Sequence, residues 1–382
     1  MAGQTRMLPL TEDREASSPA HTTGILPAQV IRALLQAREI QSAVLVEDSQ
    51  IQPASIDLRL GKMAYRVRAS FLPGKDHRVL DKVAALSMGE IDLAAGAILE
   101  KDCVYIVPLI EHLALSSRIS AFANPKSSIG RLDIFTRLIT DHATEFDRVR
   151  PGYRGPLYAE ISPRAFSVVV REASRMNQLR FQRGSPLSSD TALKELHKQV
   201  GLVDREPAEA NIANGLAITV DLMGSAAAPV IGYKAKRHAG IIDIDKIGFY
   251  EPVEFWDPIR PDPSGGIILN PGDFHILASK EAITVPPGYA AEMMAYDTLV
   301  GEFRVHYAGF FDPGFGYAAS AGTKAVLEVR SHEVPFAIED GQIVGRLSYE
   351  RLTEIPDKLY GADIGSSYQR QGLALSKHFK RP

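Results

Sequence analysis

The stretch "ASIDLRLG", residues 54–61, is short, mostly apolar between its charges, and bounded by Pro53 and Gly61. "CVYIVPL", "PLYAEIS" and "FSVVV" follow the same pattern, each delimited by Gly, Pro or charge. Segments of this length and composition are strands, and a chain built from many of them is an all-β sandwich or barrel. Two segments depart from the pattern. In "ILPAQVIRALLQAREI", Pro27 falls near the first turn and Val30, Ile31, Leu34 and Leu35 recur at helical spacing, which predicts a short amphipathic helix. Residues 186–210 turn polar and read as a linker helix.

The opening stretch also has a copy. "ASIDLRLG" matches "ITVDLMG" at 218–224, and "ILEKDCVYIV" at 98–107 matches "ILNPGDFHIL" at 268–277. "RPGYRG" at 150–155 matches "DPGFGY" at 312–317. "LYAE" ending at Glu160 matches "AVLE" ending at Glu328, and "NQLRF" ending at Phe181 matches "GRLSY" ending at Tyr349. The offsets are 164, 170, 162, 168 and 168 residues, in unbroken order. A period this long means a duplicated domain rather than a solenoid. The expected organisation is a mobile leader (1–23), a first domain (24–185), the linker helix (186–210) and a second domain (211–382).

The 382 residues are 45% hydrophobic, ample for a large core, and the formal net charge is −3. That balance supplies no global field for nucleic acid or an anionic membrane, so an anionic ligand must be held by a local cluster. No apolar run approaches the roughly 18–20 residues of a membrane span. The polar leader has no secretory apolar core. A single cysteine, Cys103, permits no disulfide framework. The expectation is a cytoplasmic enzyme without nucleic-acid or membrane partners.

Three places carry candidate chemistry. In "KSSIGR", Lys126, Ser127, Ser128 and Arg131 lie within six residues. Hydroxyls, turn amides and a guanidinium fork suit phosphate oxygens; a capped turn with a solvated arginine is the alternative. Glu160 sits in an apolar strand between Ala159 and Ile161, so it is ion-paired, at an edge, or a proton-transfer group raised toward neutral pH by desolvation. "RVRPGYRG", 148–155, is basic and turn-rich, with Arg150 and the aromatic Tyr153.

Together, "PASIDLRLG", "SSIGR", "PGYRG" followed by a buried Glu, and "NQLRF" resemble the dCTP deaminase/dUTPase superfamily. The likeness is to dCTP deaminases, in a long form with two family domains per chain, over about residues 25–182 and 212–375. The resemblance implies two tandem dUTPase-like distorted β-barrels (jelly-roll or β-clip) and trimeric assembly with nucleotide sites at subunit interfaces. It implies hydrolysis of dCTP to dUTP and ammonia, Mg²⁺ arriving with the triphosphate, and dTTP or dUTP as candidate regulators. By position it assigns Glu160 as catalytic proton shuttle, with Ser127 and Arg131 positioning the water and the base. It assigns nucleotide binding to Lys126, Ser128, Thr140, Asp141, Arg150, Tyr153 and Gln178. Tyr360 and Gln371 fall in a tail, "LYGADIGSSYQRQG", that resembles a segment closing over the nucleotide.

One departure is marked. Where the family has an Asp before "PG" facing the sugar, this chain has Arg150, leaving Asp141 or Asp147 to substitute. A zinc deaminase would need HxE and PCxxC signatures; neither is present. A dUTPase, a bifunctional enzyme and a non-catalytic nucleotide-binding protein are the rival readings. The second half, lacking "SSxxR" across 292–303, is expected to be a structural copy without a complete site, its tail capping the first-half site. Three chains would then contribute six packing units.

Overall fold

The computed structural model describes residues 21–185, 189–206, 209–224, 229–295, 303–306, 309–317, 322–331, 333–361 and 372–381. The expected leader, apart from 21–23, lies outside them.

The chain is mostly β, and the duplication is visible strand by strand. One first-half sheet runs Ile134–Thr140, Arg154–Pro163, Val104–Ala114, Met63–Val67, Ser87–Asp92. Its second-half counterpart runs Phe303–His306, Thr323–Ser331, Phe274–Ile283, Gly232–Ala235, Trp256–Ile259. Registers correspond as well: Glu160 lies between Ile106 and Arg137, and Glu328 between Ile276 and His306. The facing sheets match in the same way, with Phe181 opposite Ala121 and Tyr349 opposite Ala291.

Helices are few. Pro27 caps Ala28–Gln36, which buries Ala28, Ile31 and Leu34 on one face. The expected linker helix is shorter, Asp190–Val200. Ser189 Oγ accepts from the Ala192 amide at 3.2 Å at its start, and Gly201 (φ 62°) closes it. Leu193 and Leu196 pack into the second-half core, so this helix belongs to that half rather than bridging solvent. The helix Val79–Leu86 was not expected from the sequence.

The halves share apolar packing. The first-half core runs on through Ile242, Phe255, Trp256, Phe274 and Phe379 of the second. Strand Ile242–Asp243 pairs in parallel with Val168–Val170, adding a second-half strand to a first-half sheet. The expected capping tail is partly an internal element: Phe379 lies among Tyr250, Phe255 and Trp256, with ring centroids 5.5 Å from Phe255 and 5.9 Å from Trp256.

Candidate active site

Strand Ile119–Pro125 is followed by Lys126, which caps one helical turn, Ser127–Gly130, before Ile134–Thr140 begins. The turn is closed by amides of Ile129 and Gly130 on the Lys126 carbonyl, at 2.8 and 3.0 Å. Buried Asp57, from "ASIDLRLG", accepts from the Lys126 ammonium with one oxygen and from Gln178 Nε2, at 3.0 Å, with the other. The stretch that marks the fold therefore also aims two site residues. Arg131 is buried, and its Nη1 donates to the Ala374 carbonyl at 3.1 Å.

This turn forms one wall of a cleft of about 610 Å³. The opposite wall comes from the second half: Glu328, Asp312, Phe311, Phe315 and Tyr360. Glu328 Oε1 stands 4.0 Å from Arg131 Nε. Burial pushes the Glu328 carboxyl up to about 8, against the pull of the Arg131 charge. Asp312 is likewise raised by burial, opposed by Arg180 of the first half, whose Nη2 donates to it at 2.9 Å. Arg180 also donates to the Ala291 carbonyl at 3.1 Å and lies 4.0 Å over the Phe310 ring. Phe311 and Tyr360 both pack on Phe315, at centroid distances of 5.1 and 5.5 Å.

Six expected residues meet in this cleft: Lys126, Ser127, Ser128, Arg131, Gln178 and Tyr360. Within one chain, Glu160 does not face Ser127 and Arg131. Glu160 lies outside the cleft lining; its Oε1 accepts from Arg137 Nε at 3.0 Å and from Nη2, while Arg137 lies 3.8 Å over Phe146. The cause is packing. The first-half turn points across to the second half, so the carboxylate it meets is the repeat equivalent of Glu160.

Thr140, Asp141, Arg150 and Tyr153 stay away from the cleft with Glu160. Thr140 is buried at a strand end. Asp141 accepts from the Val79 amide at 2.8 Å. Tyr153 is a core residue, its hydroxyl donating to the Pro156 carbonyl at 2.7 Å, and burial pushes its phenol up to about 12. Arg150 is exposed. Asp147, the other candidate for the missing carboxylate, accepts from the Leu138 amide at 2.7 Å and is pushed up to about 7 by burial. Gln371, and residues 296–302 of the degenerate second-half segment, lie outside the described residues.

Sequence reading missed Glu328, Asp312 and Arg180. One signal was present: the half with "SSxxR" has lost the Asp before "PG", and the half with "DPG" has lost "SSxxR". The two losses are complementary between the halves. Among the described residues, no group of three or more His, Cys, Asp or Glu is arranged to hold a metal ion, and no helix is long and apolar enough to cross a membrane.

Comparison with known proteins adds to this geometry. The model for the 2'-deoxycytidine 5'-triphosphate deaminase N-terminal domain matches residues 22–185, and that for the C-terminal domain matches 189–379. The "dCTP deaminase, dUMP-forming" of Beutenbergia cavernae is 27% identical over 148 residues, 37% of this chain and 74% of that protein. Its Halobacterium salinarum namesake is 34% identical over 108 residues, 27% of this chain and 52% of that protein, so the match spans only about half of it. A crystal structure of 2'-deoxycytidine 5'-triphosphate deaminase from Agrobacterium tumefaciens is 53% identical and superposes with a TM-score of 0.84, covering 87% of this chain and 100% of the other.

Proposed function

The chain belongs to the 2'-deoxycytidine 5'-triphosphate deaminase family, and from that premise we propose that it hydrolyses dCTP to dUTP and ammonia at a single site built from both halves. The observation that carries the composite site is Arg131 facing Glu328 across a cleft wide enough for a nucleotide.

Glu328 is the proton shuttle, the role first expected of Glu160. With its carboxyl raised to about 8, it starts neutral near pH 7. It gives its proton to the ring nitrogen beside the amino-bearing carbon and takes one from the attacking water. It then protonates the amino group and recovers the hydroxyl proton as ammonia leaves, ending in its starting state. General acid–base help of this kind is worth about 10²–10⁴-fold. Ser127 orients the water, and Arg131 stabilises the transient carboxylate. Asp312 is the sugar-facing carboxylate that Arg150 cannot be, with Phe311, Phe315 and Tyr360 walling the nucleoside. Lys126, Ser128 and Gln178 lie toward the phosphates.

The reaction needs no zinc from this chain. Mg²⁺ enters as the dCTP complex, held by phosphate oxygens, since nearby Asp57 is committed to Lys126 and Gln178. The halves are distorted barrels, and chains assemble as trimers in the cytoplasm.

A second reading has its own support. Asp312, an aspartate before "PG", lines this cleft, and several relatives are named dUMP-forming. Incubation with dCTP and Mg²⁺, following ammonia, dUTP, dUMP and pyrophosphate, separates the readings. Ammonia with dUTP supports deamination alone, ammonia with dUMP and pyrophosphate the bifunctional reading, and no ammonia overturns both. EDTA should act only by removing Mg²⁺, so that excess Mg²⁺ restores the rate in full.

A further inference from the structure

The turn and the strand that bring Arg131 to Glu328 meet at a second place. Two residues after Arg131, Asp133 is buried and holds a left-handed backbone, φ 58°. Its amide donates to the Gly130 carbonyl at 2.8 Å, and its own carbonyl accepts from the Arg164 amide at 2.8 Å. Two residues after Glu328, Arg330 is buried on the same face of its strand, since side chains two apart point the same way. Its Nη2 donates to the Asp133 carboxylate and its Nη1 to the Gly272 carbonyl. The guanidinium also lies 5.9 Å from the centroid of the Phe274 ring.

Two ion pairs of opposite order thus cross the same boundary. The first half presents a cation and then an anion; the second presents an anion and then a cation. A slip of two residues would set Arg131 against Arg330, or Asp133 against Glu328, and buried like charges are costly. The pairs differ in tightness. Arg131 stands 4.0 Å from Glu328, whereas Arg330 and Asp133 are in direct hydrogen-bonded contact. The closer pair fixes the separation of the looser one. The repeat supports this division. Two residues after Glu160 the first half carries Ser162, so the arginine accompanies only the glutamate that lines the cleft.

We propose that Asp133 and Arg330 are positioning residues of the deamination: their ion pair holds the Arg131 guanidinium at its working distance from the Glu328 carboxyl. This rests on the dCTP-hydrolysing reading of the cleft. Of the charges around Glu328, Arg131 is the one that opposes its burial. His306 lies opposite Glu328 in register, and Asp273, at the start of the neighbouring strand, is engaged by Arg237 at 3.0 Å. On that strand burial holds the His275 imidazole down to about 4.

The test measures kcat, KM and the alkaline limb of the pH profile. It compares wild type, Asp133→Asn, Arg330→Gln, Arg131→Gln and Asp133→Asn combined with Arg131→Gln. Asparagine also tolerates the left-handed backbone, so Asp133→Asn removes the charge and keeps the turn. Expected for Asp133→Asn is a kcat about tenfold lower or more, with KM within about threefold of wild type. The alkaline limb should move up, because Arg131 then withdraws and the burial of Glu328 goes unopposed. Losing the Asp133 charge without that withdrawal would move it down. Arg330→Gln should repeat the pattern. In the Arg131→Gln background, Asp133→Asn should lower kcat by less than about a further twofold. Glu160→Gln, which breaks the Arg137 pair away from the cleft, controls for lost stability and should match wild type in kcat. If the single variants fail to fold, Asp133→Asn combined with Arg330→Gln leaves neither charge buried alone and serves in their place. An unchanged kcat, a limb that moves down, or a kcat loss additive with that of Arg131→Gln overturns the proposal. Carboxyl titration by NMR with ¹³C-labelled glutamate, the Glu328 signal assigned by its loss in Glu328→Gln, reads the geometry without substrate. If wild type turns over no dCTP but this signal titrates higher in Asp133→Asn, the positioning stands and the deamination reading falls. If the signal stays where it was, the positioning falls too.

Discussion

Arg131 of the first half and Glu328 of the second stand 4.0 Å apart, with side-chain exposures of 4% and 7%. Neither half can make this pair from its own repeat. In the proposed reaction, the second-half carboxylate needs the first-half turn beside it.

Glu328→Gln should abolish deamination while leaving dCTP binding within about threefold of wild type, since the amide keeps the shape but cannot shuttle a proton. Single-turnover assay together with calorimetric titration checks this. Retention of more than about a tenth of the wild-type rate would remove Glu328 from the proton path.

Glu160→Gln should leave turnover near wild type and cost stability instead, by about 1.5–3 kcal/mol, because Arg137 loses a charged partner. Urea unfolding read beside the kinetics distinguishes the two glutamates. A turnover defect in Glu160→Gln that exceeds the one in Glu328→Gln would return the chemistry to the first half.

Burial pushes the Glu328 carboxyl up to about 8 in the folded chain, from 4.5 for an ordinary glutamate. Between those values the native state holds a proton that the unfolded chain releases, so stability falls as pH rises through this window. Glu328→Gln removes the penalty. Its melting temperature should exceed that of wild type at pH 8 and match it at pH 4, as scanning calorimetry would show. In kinetics, kcat/KM should decline above about pH 8 as the starting proton is lost. Replacing Arg131 by Gln removes the charge that lowers this pKa, so the residual alkaline limb should move up, not down.

Arg180 and Asp312 form a buried ion pair between the halves at 2.9 Å. Arg180→Ala leaves Asp312 desolvated and unmatched, a loss of about 3–5 kcal/mol for a pair of this kind. Denaturant unfolding should show that loss, with a shift of the Asp312 carboxyl further upward. Asp312→Asn, which keeps the shape, should cost less stability and impair nucleotide affinity more.

Phe379→Ala should destabilise by about 3–5 kcal/mol, since the ring fills an aromatic cluster with Phe255 and Trp256. Truncation after Lys358 removes the buried Phe379, so the truncated chain should lose both affinity and cooperative unfolding. A truncated protein that melts like wild type would show that the cluster is dispensable.

Much of the fold is legible in the sequence. The strand pattern, the helix after Pro27 and the density of donors at 126–131 are local properties, each encoded within about ten neighbouring residues, and the duplication is a set of such local patterns repeated at one long offset. The helix Val79–Leu86 was not legible, because eight residues carry too little periodicity to separate a helix from a buried strand. The role of Asp57 was hidden for a different reason. Nothing near it in the chain shows that Lys126 and Gln178 will arrive on either side.

The sequence by itself determined that there are two equivalent glutamates, one turn with two serines and an arginine, and one Asp before "PG" in the half that lacks that turn. It pointed to Glu160, which shares a half with that turn, although Glu328 holds the equivalent strand register. The packing of the halves decides. It turns the first-half loop toward the second-half sheet, sets Glu328 against Arg131, and leaves Glu160 to Arg137. Local pattern reports burial and period; which buried carboxylate meets which cation depends on contacts some two hundred residues apart in the chain.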